Sequence, residues 1–244
     1  MAVIAVYNLK GGVGKTTLAV NLAWSAAVQS SRRTLLWDLD PQASATFLVG
    51  ANASSKDSAS AVFDKQITPE RLIQQTATPR LDLMPADASL RALDHMFFSL
   101  GKKRRLAKLL ESLAGHYDRI ILDCPPGLTE TSEQIMRAAD IILVPVIPSP
   151  LSQRGLHEVI DHLDRHHKGH GPVLPVYAMV DRRRGLHKAA LDAEPNWPVI
   201  PMASAVEQMA VHRAPVGAFA VGSPAGQAFA ALWTGIERKL ARKS

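Results

Sequence analysis

A single cysteine, Cys124, stands in 244 residues, which excludes an intrachain disulfide framework and suits a reducing compartment. No apolar run approaches the roughly 20 residues that a membrane span requires. The stretch Met1–Val6 is short and lacks the basic leader of a signal peptide, so a cytoplasmic protein is expected. Internal repeats and low-complexity tails are missing too. Acidic residues are the scarcer charge: 22 Asp+Glu face 28 Lys+Arg, a net +6 with a pI near 9.6. That excess is compatible with contact to a polyanion, yet many proteins share it and bind none. Hydrophobic residues reach 47% and mean hydropathy is 0.00. This is a globular composition, long enough to bury a full core, and one domain over 1–244 is expected.

Apolar, β-branched runs alternate with helix-patterned stretches along the whole chain. Strands are expected at Ala2–Tyr7, Thr34–Trp37, Leu81–Met84, Arg119–Leu122, Ile141–Val146 and Val173–Val180. Such runs, apolar throughout and separated by helices, read as parallel strands buried on both faces. Helices are expected at Thr16–Gln29, Leu90–Phe98, Lys102–Leu113, Glu130–Ala138, Ser152–His166, Leu186–Leu191 and Gly226–Ala241. The alternation predicts a doubly wound, mostly parallel α/β sheet with helices on both faces. The small, polar run Ala51–Ser60 reads as a surface loop.

Three segments carry chemistry. Lys10-Gly11-Gly12-Val13-Gly14-Lys15-Thr16-Thr17 lies between the first strand and the first helix, the setting of a phosphate-binding loop. Glycines let backbone N–H groups close on phosphates, Lys15 reaches the β/γ oxygens, and the hydroxyl of Thr16 coordinates Mg²⁺. A helix start adds its own N–H groups and positive dipole end. Such a loop needs only one lysine, so Lys10 is expected to serve the nucleotide of a second subunit. The second segment is Asp38-Leu39-Asp40-Pro41-Gln42, where two carboxylates in extended chain share a face. They could hold Mg²⁺ through water and orient the attacking water; a plain turn is the competing reading. The third is Ile120-Ile121-Leu122-Asp123-Cys124-Pro125-Pro126-Gly127, which places Asp123 near Mg²⁺ and follows it with a stiff loop able to sense a γ-phosphate.

Together these segments resemble the ParA/MinD family of deviant-Walker ATPases, in particular its short, Soj-like ParA branch. Val144-Pro-Val-Ile-Pro-Ser-Pro-Leu151, Met179-Val-Asp181, Val199-Ile-Pro201 and Ala214-Pro-Val216 fit as well, so the likeness covers nearly the whole chain. The resemblance implies a P-loop NTPase fold, ATP and Mg²⁺ as cofactors, and slow, partner-stimulated hydrolysis. It makes Lys10 the lysine that crosses a sandwich homodimer, and Lys10, Lys15 and Asp40 the catalytic set, with Asp40 positioning water. Thr16, Asp38, Asp40 and Asp123 become the metal set, and Asp181, Pro201 and Met202 nucleotide contacts. It implies non-specific DNA binding by ATP-bound dimers on the nucleoid and a ParB-like or other cargo adaptor, as in plasmid or chromosome partition. Arg182, Arg183 and Arg184 stand where one DNA-binding arginine is expected; a second is replaced by Ala205, with Arg213 one turn on. A chain starting at the loop lacks the N-terminal helix-turn-helix of long members, so operator-specific repression is not expected.

Other features invite competing readings. The arginine run could be a solvated loop. Lys102-Lys103-Arg104-Arg105 opens an expected helix, against the dipole, and could meet phosphate or a partner. His162, His166, His167 and His170 crowd one helix end, where imidazoles suit the dipole; with no acidic second shell evident, a metal site is the lesser reading. Phe229, Leu232, Trp233, Ile236 and Leu240 recur at helical spacing. They read as a helix packed on the sheet, with a MinD-like membrane-surface helix as the alternative. No membrane partner is expected. A metabolic iron–sulfur relative would need two cysteines per subunit to bridge a cluster, and this chain has one.

Overall fold

The computed structural model describes residues 1–51, 57–100 and 104–242. Lys102, Lys103 and Lys243 of the basic runs, and residues 52–56 of the expected surface loop, lie outside them. The strands are β1 (Ala2–Val6), β2 (Thr34–Asp38), β3 (Gln74–Gln75), β4 (Leu81–Met84), β5 (Arg119–Asp123), β6 (Ile141–Val146), β7 (Val173–Val180) and β8 (Val199–Pro201). The helices are α1 (Lys15–Val28), α2 (Ser44–Leu48), α3 (Leu93–Leu100), α4 (Arg105–Ser112), α5 (Glu130–Ala138) and α6 (Pro150–His166). They continue with α7 (Gly185–Ala193), α8 (Ser204–Glu207), α9 (Met209–His212), α10 (Val216–Phe219) and α11 (Pro224–Ala241).

One sheet runs in the order β3-β4-β2-β5-β1-β6-β7-β8. All neighbours are parallel except β3, which pairs antiparallel with β4 at the edge. The expected doubly wound sheet is therefore present, with two short edge strands, β3 of two glutamines and β8 of three residues, too short to stand out as strands in the sequence. Because side chains alternate across a strand, β1 and the residue after it feed two cores: Val3, Ala5 and Tyr7 face one, Ile4 and Val6 the other. Trp37 anchors the first layer beside Phe63, with ring centroids 5.7 Å apart. Trp233 of α11 anchors the second and donates its indole N–H to Ser30 Oγ at 2.8 Å. Each indole buries surface worth about 4–6 kcal/mol of transfer free energy before entropy is deducted.

The apolar stripe of α11 is thus core, with Phe229, Leu232, Trp233, Ile236 and Leu240 all buried. Among the described residues no helix is long and apolar enough to cross a membrane. One basic expectation is corrected. α4 begins at Arg105, and Arg105 is buried, donating to the carbonyls of Phe63 (2.5 Å) and Val62 (3.2 Å). It closes the Val62–Phe63 turn instead of meeting phosphate. Arg104 is exposed and pairs with Glu111.

Residues 7–14 leave the carboxyl end of β1, and the carboxyl ends of its neighbours β5 and β6 flank them. β6 lies on the opposite side of β1 from β5 and β2, so the chain reverses its winding direction at β1. That crevice is where open α/β sheets bind ligands.

Candidate nucleotide-binding site

The loop between β1 and α1 is shaped by glycine. Gly12 and Gly14 hold φ of +71° and +92°, backbone that side chains adopt only with strain. A Cβ on Gly11 or Gly12 would meet nothing within 4 Å, so the loop backbone is bare. α1 has no side-chain cap and no acid in its first turn, which leaves its leading N–H groups for an anion.

Two lysines meet at this loop. Lys15 is buried, and its Nζ donates to the carbonyl of Lys10 at 2.8 Å. Burial lowers its pKa, and Asp123 pulls it back up. Lys10 points elsewhere: its Nζ donates to the carbonyl of Leu151, in the first turn of α6, at 2.6 Å. Its own amide is held by Asn8 Oδ1 (2.9 Å), and Asn8 donates in turn to the carbonyl of Pro145 (2.7 Å).

Asp123 ends β5 opposite Val6 of β1 and Asp38 of β2. Its carboxylate is fully buried, and both oxygens lack a hydrogen-bond partner. The hydroxyl of Thr16 approaches without completing a bond. Burial first, and Asp38 second, push its pKa well above the carboxylate range, while Thr16 and Lys15 oppose them. A buried, unpartnered carboxylate costs about 1–3 kcal/mol or more. A hydroxyl and a carboxylate without a partner are the oxygen donors a hard divalent cation takes. Asp123 and Thr16 therefore fit Mg²⁺.

Asp38 and Asp40 hold different partners, although Asp40 stays close enough to raise the pKa of both Asp38 and Asp123. β2 stops at Asp38, and the chain turns at Asp40, whose carbonyl accepts the amide of Ala43 at 2.9 Å. Asp38 Oδ2 accepts from the amide (2.8 Å) and hydroxyl (2.9 Å) of Thr46, and Oδ1 from the amide of Asp40 (3.2 Å). Burial raises its pKa to about 6 against these donors. Asp38 thus ties α2 to the end of β2, and both of its oxygens are occupied. Asp40 is half-buried; Oδ1 accepts the amide of Gln42 at 2.9 Å, and Oδ2 takes no hydrogen bond among the described residues.

Beside Gly14 lies a cavity of about 130 Å³, lined in part by Thr17, Met179, Pro201, Met202, Val206 and Glu207. Pro201 and Met202 were expected at the nucleotide; Met179, Val206 and Glu207 were not. The bend at Met179 gives no sequence signal, because its φ of +56° interrupts what reads as an unbroken strand. The β7–β8 register shifts there, between Tyr177 and Val180. Asp181 does not line this cavity. Arg183 grips both its oxygens at 2.9 Å and holds its carboxyl down at about 2. Arg213, itself in left-handed backbone, stacks over Phe47 at 4.9 Å and donates to the carbonyls of Phe47 (3.3 Å) and Ala51 (3.0 Å). It closes the turn after α2. Arg182 and Arg184 lie on the Asp181–Arg184 turn, and both are exposed. Ala214-Pro215-Val216 belongs to the fold: the Val216 amide donates to buried Asn21 of α1 at 2.8 Å.

Comparison with known proteins fits this geometry. A family model described as an AAA domain matches residues 1–174. The chromosome partitioning protein ParA of Myxococcus xanthus is 34% identical over 177 residues, covering 70% of this chain and 61% of that protein. Its counterpart from Caulobacter vibrioides is 31% identical over 196 residues, covering 76% and 72%. For several such relatives the chain spans less than two thirds of their length. Among solved structures, the septum site-determining protein MinD of Pyrococcus horikoshii, complexed with Mg-ADP, superposes with a TM-score of 0.82. The superposition covers 100% of this chain and 98% of that one at 22% identity, which speaks for the fold. On the matched sequence, the shared sheet and the two-lysine loop, this chain belongs to the ParA/MinD family of P-loop ATPases.

Proposed function

We propose that this protein is a ParA-type ATPase that binds ATP and Mg²⁺, closes into a sandwich dimer, binds DNA non-specifically and positions or partitions a cargo through an adaptor. The observation that carries the reading is the pairing of two features: a glycine loop bearing two lysines, and a buried carboxylate, Asp123, with no donor of its own.

In this reading Lys15 leaves the Lys10 carbonyl for the β/γ oxygens, and the free N–H groups of Gly11–Thr17 cradle the phosphates. Thr16 and Asp123 hold Mg²⁺, with Asp38 fixing the loop behind them. Mg²⁺ supplies charge neutralisation at the transferred phosphoryl group. The base enters the cavity at Met179, Pro201 and Met202. Asp40 orients the attacking water through Oδ2. Lys10 releases Leu151 and reaches the partner subunit's phosphates, so the dimer completes the site. Chemistry of this kind is mostly positioning and electrostatics, which explains a slow basal rate and stimulation by an adaptor.

DNA contact is assigned to the Arg182–Arg184 turn. Arg213 is left out, because its guanidinium already closes the α2 turn. The DNA reading is favoured over a MinD-like membrane cycle because the apolar face of α11 is buried.

Co-sedimentation tests this directly. With ATP and Mg²⁺, Asp40→Ala should pellet with DNA and not with anionic liposomes; the reverse would make the protein a membrane-cycling ATPase. Arg183→Glu should weaken DNA binding at least about tenfold, with a shallower salt dependence, while ATP-driven dimerisation persists. An unchanged gel shift would return this turn to a solvated face.

A further inference from the structure

Away from the nucleotide loop, the fold assembles a cluster that no single stretch of sequence contains. The end of α6 carries His162, with His167 as its C-terminal neighbour. The side chain of Glu133, from α5, lies between them. Glu133 Oε1 is 2.6 Å from His162 Nε2, and Oε2 is 2.6 Å from His167 Nε2. The three donor atoms all lie within 4.8 Å of one another. His167 exposes 2% of its side chain, His162 18% and Glu133 21%. The two imidazole rings are tilted by 51° with centroids 5.6 Å apart, so their Nε2 atoms converge on the carboxylate and do not stack.

We propose that Glu133, His162 and His167 bind a divalent cation of the zinc class. Two imidazole nitrogens and one carboxylate oxygen form the donor set of open zinc and non-haem iron sites, with bonds of about 2.0–2.2 Å. Donors around such an ion stand roughly 3–4 Å apart, so each Glu–His contact of 2.6 Å opens by roughly half an ångström to 1.4 Å. One carboxylate and two neutral imidazoles leave a dication partly uncompensated. Arg137, 3.8 Å from Glu133 Oε2, and His166, whose ring lies 4.7 Å from that of His162, add no negative charge, which limits affinity to the moderate range. A groove of about 380 Å³, lined in part by Tyr7, Leu128, Glu158, Asp161, His162 and His166, opens beside His162. The ion would tie α5, which follows the Asp123 loop, to α6, whose first turn receives Lys10.

The test uses the untagged full chain, stripped with a chelator and kept in excess Mg²⁺, which prefers oxygen donors. Titration with Co²⁺ should give one ion per chain with visible d–d bands, and Zn²⁺ should displace it. The thermal midpoint should rise with Zn²⁺ and fall back with EDTA. His162→Ala, at a partly exposed ligand, and the isosteric Glu133→Gln should each weaken Co²⁺ binding at least about tenfold and lose the Zn²⁺-dependent rise. A wild-type midpoint and spectrum unmoved by Co²⁺ and Zn²⁺ would overturn the proposal and leave a structural Glu–His pair. Binding retained in both variants would overturn it equally.

Discussion

Replacing Asp123 with asparagine should stabilise the nucleotide-free protein and at the same time abolish Mg²⁺-dependent turnover. The stabilisation follows from a carboxylate that is fully buried and accepts no hydrogen bond. Removing its charge relieves the desolvation cost of a buried anion in excess of what an unpartnered neutral amide bears, read as a higher urea midpoint at pH 8. The pH dependence has a definite sign. Burial raises the folded-state pKa of Asp123 above its unfolded value, so the folded chain holds that proton more tightly. Its favourable contribution is complete below the unfolded pKa of about 3.9 and is lost as pH rises through the folded value. Wild-type protein should therefore lose stability with rising pH more steeply than Asp123→Asn, and saturating Mg²⁺ and ATP should reverse the order of the two. Turnover should fall about 10²–10³-fold, the usual loss when one preorganised charge partner is removed. A variant that is both less stable without nucleotide and still active would remove Asp123 from the metal site.

Lys15→Ala should have the second large effect, confined to function. In the nucleotide-free state the Lys15 ammonium is buried and donates to the carbonyl of Lys10, and its desolvation outweighs its attraction to Asp123, so its loss should move the urea midpoint little. In the proposed site it is the loop cation placed to reach the β/γ oxygens of its own subunit, because Lys10 is docked on Leu151. Affinity for a fluorescent ATP analogue and turnover should each fall by about 10²-fold or more. A midpoint drop of several kcal/mol with binding preserved would make Lys15 a structural residue.

Central strands such as Ile4–Val6 and Ile120–Leu122 were legible in the sequence because strands buried on both faces must be apolar at every position. The loop was legible because glycine adopts its positive φ without strain, and two glycines beside a lysine and a threonine mark it. What escaped had no local signal. β3 is two glutamines long, and α2, Ser44–Leu48, has too few turns to show a helical period. The bend at Met179 sits inside a run that reads as regular strand. Asp38 and Asp40 look equivalent in sequence, and only the fold brings Thr46 back to occupy one of them. Arg105 looks like surface charge until the Val62–Phe63 carbonyls arrive from 42 and 43 positions away. Glu133 likewise lies 29 residues from His162, so the sequence does not show that the two meet, although Asp161 and Asp164 stand beside the histidines.

The central claim is that Lys10 completes a nucleotide site on a second copy of this chain. The most direct measurement is molar mass by light scattering with ATP and Mg²⁺, comparing Asp40→Ala with Lys10→Ala/Asp40→Ala. The account predicts a dimer for the first and a monomer for the second, with ATP bound by both. An ATP-dependent dimer that persists without Lys10, or an Asp40→Ala protein that stays monomeric while binding ATP, would contradict it.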